Sequence, residues 1–152
     1  MRLLLDTTYF LPAIGVLVKG LPKDAPIKLI RLGHRISMSE ITVFELAAKG
    51  AKYVVTGRLK AERITRGIKA VVYDERITKI PLHDSTILLT AFRLRRFLSD
   101  FIDCLILSSA VNRSDALITE DEDIRNLGKR ELQEIFQAVN PEFRIQTLKD
   151  VL

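Results

Sequence analysis

Leu3-Leu4-Leu5 is followed at once by Asp6, Thr7 and Thr8. Three consecutive large apolar residues leave no polar face, so the segment Arg2 to Asp6 reads as a strand covered on both sides. Such strands belong to parallel sheets, and parallel neighbours need helical crossovers. The rest of the chain alternates accordingly. Helical stretches are expected from Tyr9 to about Val18, from Asp24 to about His34, and from Ser39 to Gly50, where Gly50 would stop the helix. Another runs from about Lys52 to Asp74, with an interruption at Gly57. Short strands are expected at Arg35 to Met38, Ile77 to Leu82, Ala116 to Thr119 and Phe143 to Leu148. Asp84 opens a helix to about Leu98, Ser99 or Asp100 caps the next, and Arg130 to Val139 is the last. The pattern predicts an α/β, three-layer fold with a mostly parallel central sheet flanked by helices.

The chain has 152 residues, which sets the expectation of a single domain over 1–152. A hydrophobic fraction of 47% with 28% charged residues excludes a disordered chain. Cys104 is the single cysteine, so an internal disulfide is excluded and a reducing, cytoplasmic location is expected. Asp6 breaks the first apolar run too early for a signal peptide, and no stretch is long enough to span a bilayer. The formal charge of +5 favours a polyanionic partner such as nucleic acid.

In an open parallel sheet, ligands bind beyond the carboxyl ends of the strands. Acids collect where the sequence predicts that edge. Asp6 closes the first strand and Asp121 follows the fourth. Glu45 and Asp103 lie in early turns of helices that start there. Each has an ordinary structural role open to it. Asp6 and Asp121 can cap helices, Thr42-x-x-Glu45 fits a capping box, and Asp103 suits the positive end of a helix. Together they pose a problem, because two carboxylates 4 Å apart repel by about 4 kcal/mol at an effective dielectric near 20. A shared proton or a bound cation relieves this. Oxygen-only ligands select Mg²⁺ or Mn²⁺.

Four words of the sequence, Leu-Leu-Asp-Thr-Thr, Ile-Thr-Val-Phe-Glu-Leu, Asp-Phe-Ile-Asp-Cys-Leu-Ile-Leu-Ser-Ser-Ala and Leu-Ile-Thr-Glu-Asp-Glu-Asp, resemble in order the four acidic motifs of the PIN-domain ribonucleases. The resemblance covers nearly the whole chain. It implies a PIN-like fold and a metal-dependent endoribonuclease that leaves 5′-phosphate and 3′-hydroxyl ends. The metal-binding, catalytic acids would be Asp6, Glu45, Asp103 and Asp121, with Asp123 completing the shell. Thr8 matches the small hydroxyl residue two after the first acid, and Thr119 the one before the fourth. Many PIN domains of this length are VapC-type toxins, which implies RNA as substrate, an antitoxin protein as partner and a homodimer. Helices Asp24 to His34 and Lys52 to Asp74 are the candidates for the dimer face. The chain departs from the pattern in a longer, charged middle segment and in Ile124, where Phe is common.

Two other readings are carried. A PIN fold that only binds RNA or protein would lack an acid, and none is missing. A phospho-accepting signalling domain needs a lysine at a late strand end, and Lys149 follows the last strand. Basic residues cluster at Arg58, Lys60, Arg63, Arg66 and Lys69, and at Arg93, Arg95 and Arg96. They read as phosphate contacts or as solvated helix faces. His34 and His83 lack metal-ligand spacing, and Cys104 sits in an apolar helical run that belongs to the core.

Overall fold

The computed structural model of the protein describes residues 1–127 and 129–152. Five strands form one sheet, β1 (Arg2–Leu5), β2 (Arg35–Ser39), β3 (Ile77–Ile80), β4 (Ala116–Ile118) and β5 (Arg144–Gln146). Their order is β3-β2-β1-β4-β5, and every pairing is parallel. The helices are α1 (Ala25–Arg31), α2 (Ile41–Val55), α3 (Ala61–Val72), α4 (Ser85–Leu94), α5 (Phe101–Arg113), α6 (Glu122–Arg125), α7 (Lys129–Val139) and α8 (Leu148–Val151), with a 3-10 helix at Thr7–Ile14.

The leucine run does what its composition requires. Leu3 and Leu5 enter the core shared with the 3-10 helix, α1, α2 and α3, while Leu4 enters the core under α4, α5 and α7. Alternate residues of β4 divide the same way, with Ala116 and Ile118 on one side and Leu117 on the other. The first two crossovers thus cover one face and the next two the other. Chain direction across the sheet reverses beside β1, so the crevice expected at such a switch lies between the ends of β1 and β4.

Several boundaries differ from the sequence reading. The stretch predicted as a helix from Tyr9 to Val18 is the 3-10 helix, and Asp6 caps it. Pro12 lies too deep in the segment for an α-helix, where its ring would meet the carbonyl four residues back. Gly50 does not stop α2. The helix runs on to Val55, and Gly50 is where α3 crosses it. A Cβ there would stand 2.8 Å from Ile64 Cγ2, so the small residue permits the crossing. Gly67 makes the matching approach on α3, where a Cβ would lie 2.1 Å from the Ala13 carbonyl oxygen. That contact clamps α3 onto the 3-10 helix, and Arg63 Nη1 donates to the same carbonyl. The segment Lys52 to Asp74 is therefore two helices, parted at Gly57 with φ 73°. The last strand is shorter than predicted, and Thr147 with Asp150 forms a capping box that opens α8. Among the described residues no helix is long and apolar enough to cross a membrane.

Candidate active site

β1 delivers Asp6 to the carboxyl edge, where its N–H still continues the ladder by donating to Ile118 O at 3.1 Å. Its side chain is 8% exposed and fully engaged. Oδ1 accepts from the Thr7 N–H and Oδ2 from Thr119 Oγ1, both at 2.7 Å. Burial pushes its pKa upward, these two hydrogen bonds pull against that, and the Glu45 charge adds to the rise.

Glu45 comes from the second turn of α2. Its capping-box reading does not hold, because α2 begins at Ile41 without a side-chain cap. Instead Thr7 Oγ1 donates a short hydrogen bond to Glu45 Oε1 and lies 3.3 Å from the buried Thr42 Oγ1. Lys49 Nζ stands 3.8 Å from Glu45 Oε2, one turn along the same helical face.

β4 ends at Ile118, and Thr119 follows, completely buried. Its Oγ1 donates to Asp6 and accepts from the Asp121 N–H at 3.1 Å. One hydroxyl thereby ties the exits of β1 and β4 together. Asp121 caps α6, accepting from the N–H groups of Asp123 and Ile124 at 2.8 and 3.2 Å. Asp123 is exposed on the first turn of α6.

Asp103 sits in the first turn of α5, but the cap there is Asp100, which accepts from the Ile102 N–H at 2.9 Å. Asp103 is half-buried, and among the described residues its carboxylate accepts no hydrogen bond. Its pKa is raised to about 7, first by burial and then by the charges of Asp100, Asp121, Asp6 and Glu45. The charges of Asp6, Glu45 and Asp121 all reach Asp103, so these four acids lie on the same side of the sheet. The convergence is electrostatic and not a closed cage. Among the described residues, no three His, Cys, Asp or Glu side chains stand close enough to hold one ion together.

That arrangement suits a hydrated hard cation. Mg²⁺ keeps several waters and takes one or two carboxylates plus substrate phosphates, so three direct protein ligands are not required. The donor set is oxygen only, and a cation near Asp103 would offset the acidic charges that, after burial, raise its pKa. Lys49 is the cation beside Glu45, and it is one charge against several.

Three contributors escaped the sequence reading. Asp100 was legible only as a cap, yet it is the charge that acts most on Asp103. Thr7, which the motif comparison passed over, holds Glu45, while Thr8 lines a hollow with Glu120 and Leu148. Lys49 could have been found from its spacing of four behind Glu45. Of the basic clusters, Arg63 is committed to Ala13 O and Arg95 Nη1 donates to Leu98 O at 3.1 Å. Arg58, Lys60, Arg66, Lys69, Arg93 and Arg96 are exposed. Cys104 is buried in the core as expected. His34 precedes β2 at the opposite edge, and His83 is exposed. Lys149 lies on α8, exposed, and pairs with no acid among the described residues, so nothing favours the phospho-accepting reading.

The sequence matches the PIN domain family over residues 3–130. No curated protein sequence matches it. Solved structures that share its fold include two complexes. One is VapBC2 from Rickettsia felis bound to a DNA fragment from their promoter, with 19% identity, a TM-score of 0.58, and 97% of this chain and 98% of that chain covered. The other is VapBC-1 from nontypeable Haemophilus influenzae, with 23% identity, a TM-score of 0.60, and coverage of 98% and 99%.

Proposed function

This chain belongs to the PIN domain family, and from that premise we propose that it is a divalent-metal-dependent endoribonuclease, one domain over 1–152, of the toxin type. The observation that carries the reading is Asp103, a half-buried carboxylate with four other acids acting on it and no hydrogen bond to offset them. Asp6, Glu45, Asp103 and Asp121 would hold Mg²⁺ or Mn²⁺, with Asp123, exposed on the first turn of α6, orienting water or completing the shell. When bound, the cation supplies charge neutralisation and Lewis acidity at phosphorus.

The chain's own residues do the rest. Thr119 and the Thr7 N–H fix both oxygens of Asp6, so its carboxylate reaches the edge in one orientation. Thr7 fixes one oxygen of Glu45, and the other faces Lys49. Asp103 near neutral pH shares its carboxyl between the protonated and charged forms, and it gives up the proton as positive charge enters. No side-chain nucleophile is needed, since water can attack phosphorus in the space that these acids surround.

The reading includes an antitoxin protein, as in the VapBC complexes that share the fold. It also includes a homodimer. Leu89 and Phe92 of α4 are exposed, and Phe92 stacks on Phe101 with ring centroids 5.9 Å apart. The segments Asp24 to His34 and Lys52 to Asp74 also present exposed apolar residues, Leu32, Val54, Val55 and Tyr73, that such an interface could cover. Purified protein should cleave single-stranded RNA with Mg²⁺ or Mn²⁺ and lose that activity in EDTA. RNA left intact with either metal, by protein that still binds it, would leave a binding module in place of the enzyme.

A further inference from the structure

The basic residues that stand together in space are not those that cluster in sequence. A groove of about 590 Å³ opens over β2 and β3 beside the end of α5, and Arg2, Arg35, Lys79 and Arg113 line it with Ser37 and Thr78. Arg2 and Arg35 begin adjacent strands and are paired in register. Lys79 comes from β3 and Arg113 from the last turn of α5. No Asp or Glu lines the groove among the described residues. Two of its cations are braced from outside. Asp115 holds Arg2 through Nε at 3.0 Å and Nη2 at 2.7 Å, and Asp84 pairs with Arg113 Nη2. The remaining guanidinium nitrogens are thus held in place with donors to spare. Lys79 Nζ donates to the Asp74 carbonyl and forms no ion pair among the described residues, although the Asp74 carboxylate lies near enough to feel its charge. Arg35 is exposed and makes no ion pair among the described residues.

We propose that this groove binds the phosphodiester backbone of single-stranded RNA away from the carboxylate centre. It rests on the reading of RNA as the substrate. Planar guanidinium forks beside the exposed Thr78 hydroxyl match phosphate oxygens, while the buried Ser37 hydroxyl is already engaged with Leu3 O and Ser114. The walls offer no aromatic anchor of the kind on which a peptide partner would depend. The position also answers an electrostatic difficulty, since a centre built from acids repels the polyanion it must cut. Arg2 and Asp6 stand at opposite ends of β1, roughly 13 Å apart at the strand rise of about 3.3 Å per residue. A strand held in the groove keeps its flanking nucleotides close to the acids while its charge is met elsewhere.

The test is anisotropy of a labelled single-stranded RNA titrated with full-length protein in EDTA, across a salt series. Arg35→Gln should weaken binding several-fold and shrink the log–log salt slope by about 0.7, the loss of one single-strand phosphate contact. Arg31→Gln removes an equal charge from α1, outside the groove and outside both basic clusters, and should leave the affinity near wild type. Thr78→Arg, on an exposed groove wall, should tighten binding. Unchanged affinity in Arg35→Gln, or equal losses in Arg35→Gln and Arg31→Gln, would overturn the proposal. So would a loss of binding in Arg35→Gln for poly-glutamate but not for RNA. Wild-type protein that binds RNA through the groove yet fails to cleave it with Mg²⁺ or Mn²⁺ would sink the nuclease reading and leave the groove standing.

Discussion

Asp6 and Asp103 carry the same side chain to the same edge of the sheet, yet the chain treats them in opposite ways. Asp6 arrives on a buried strand, and both of its oxygens have dedicated donors. Its neighbour Glu45 has a threonine on one oxygen and a lysine near the other. Asp103 arrives on a helix whose cap is a different residue, and it meets other carboxylates without a donor. One half of the centre is finished by the fold. The other is left with repulsion that the rest of the core must carry, and positive charge from outside would complete it. Functional sites are where such local costs collect.

The largest expected effect comes from the finished half. Asp6→Asn keeps a helix cap, since Asn caps as well as Asp. Stability should change little, while metal-dependent cleavage should fall by more than the ten- to hundredfold typical of outer-shell changes. Activity within twofold of wild type would mean that Asp6 is only a cap. Thr119→Val tests the donor itself. It frees Asp6 Oδ2 and should weaken Mg²⁺ affinity about 10- to 100-fold, measured by titration calorimetry; an unchanged affinity would mean that the hydroxyl positions nothing. Gly67→Ala probes the ground on which this half stands. Ala13, whose carbonyl meets Gly67, lies on the same 3-10 helix as Thr7, and an added methyl should cost about 1–3 kcal/mol in denaturant unfolding. A neutral result would show that α3 can withdraw without disturbing the site.

Acidity sharpens the contrast from the other side. Asp103 has a folded-state pKa near 7 against an ordinary 3.8. Between those values the native state holds a proton that the unfolded chain has lost. Asp103 therefore subtracts stability as pH rises through that window, and its full penalty applies above about 7. Asp74, Asp84, Asp115 and Asp150 are shifted down and lose their contribution only as pH falls below the ordinary value. The metal-free protein should melt a few degrees lower at pH 8 than at pH 5.5, and Asp103→Asn should flatten that dependence. An unaltered slope in the variant would assign the effect to Asp6, which is raised in the same direction.

The finished half was the more legible one in the sequence. Leu3-Leu4-Leu5 announced a doubly covered strand, and an acid at its exit had to lie at the carboxyl edge whatever followed. Helix ends were less legible, because Gly50 and Gly67 serve contacts between α2, α3 and the 3-10 helix that no local signal reveals. The capping box at Thr42 and Glu45 was a local pattern that tertiary contacts overrode, since both side chains turn to Thr7. The basic groove was hidden for the same reason. Arg2, Arg35, Lys79 and Arg113 are far apart in sequence and meet only through the parallel register and the return of α5.

Asp103→Asn tests the central claim most directly, measured for RNA cleavage with Mg²⁺ and for thermal stability in EDTA on the same preparation. If Asp103 belongs to a cation-binding centre, cleavage falls by orders of magnitude while the metal-free melting temperature holds or rises by a few degrees, because one repelling charge has gone. Cleavage that persists in Asp103→Asn and also in Asp6→Asn would contradict the account and place the activity elsewhere.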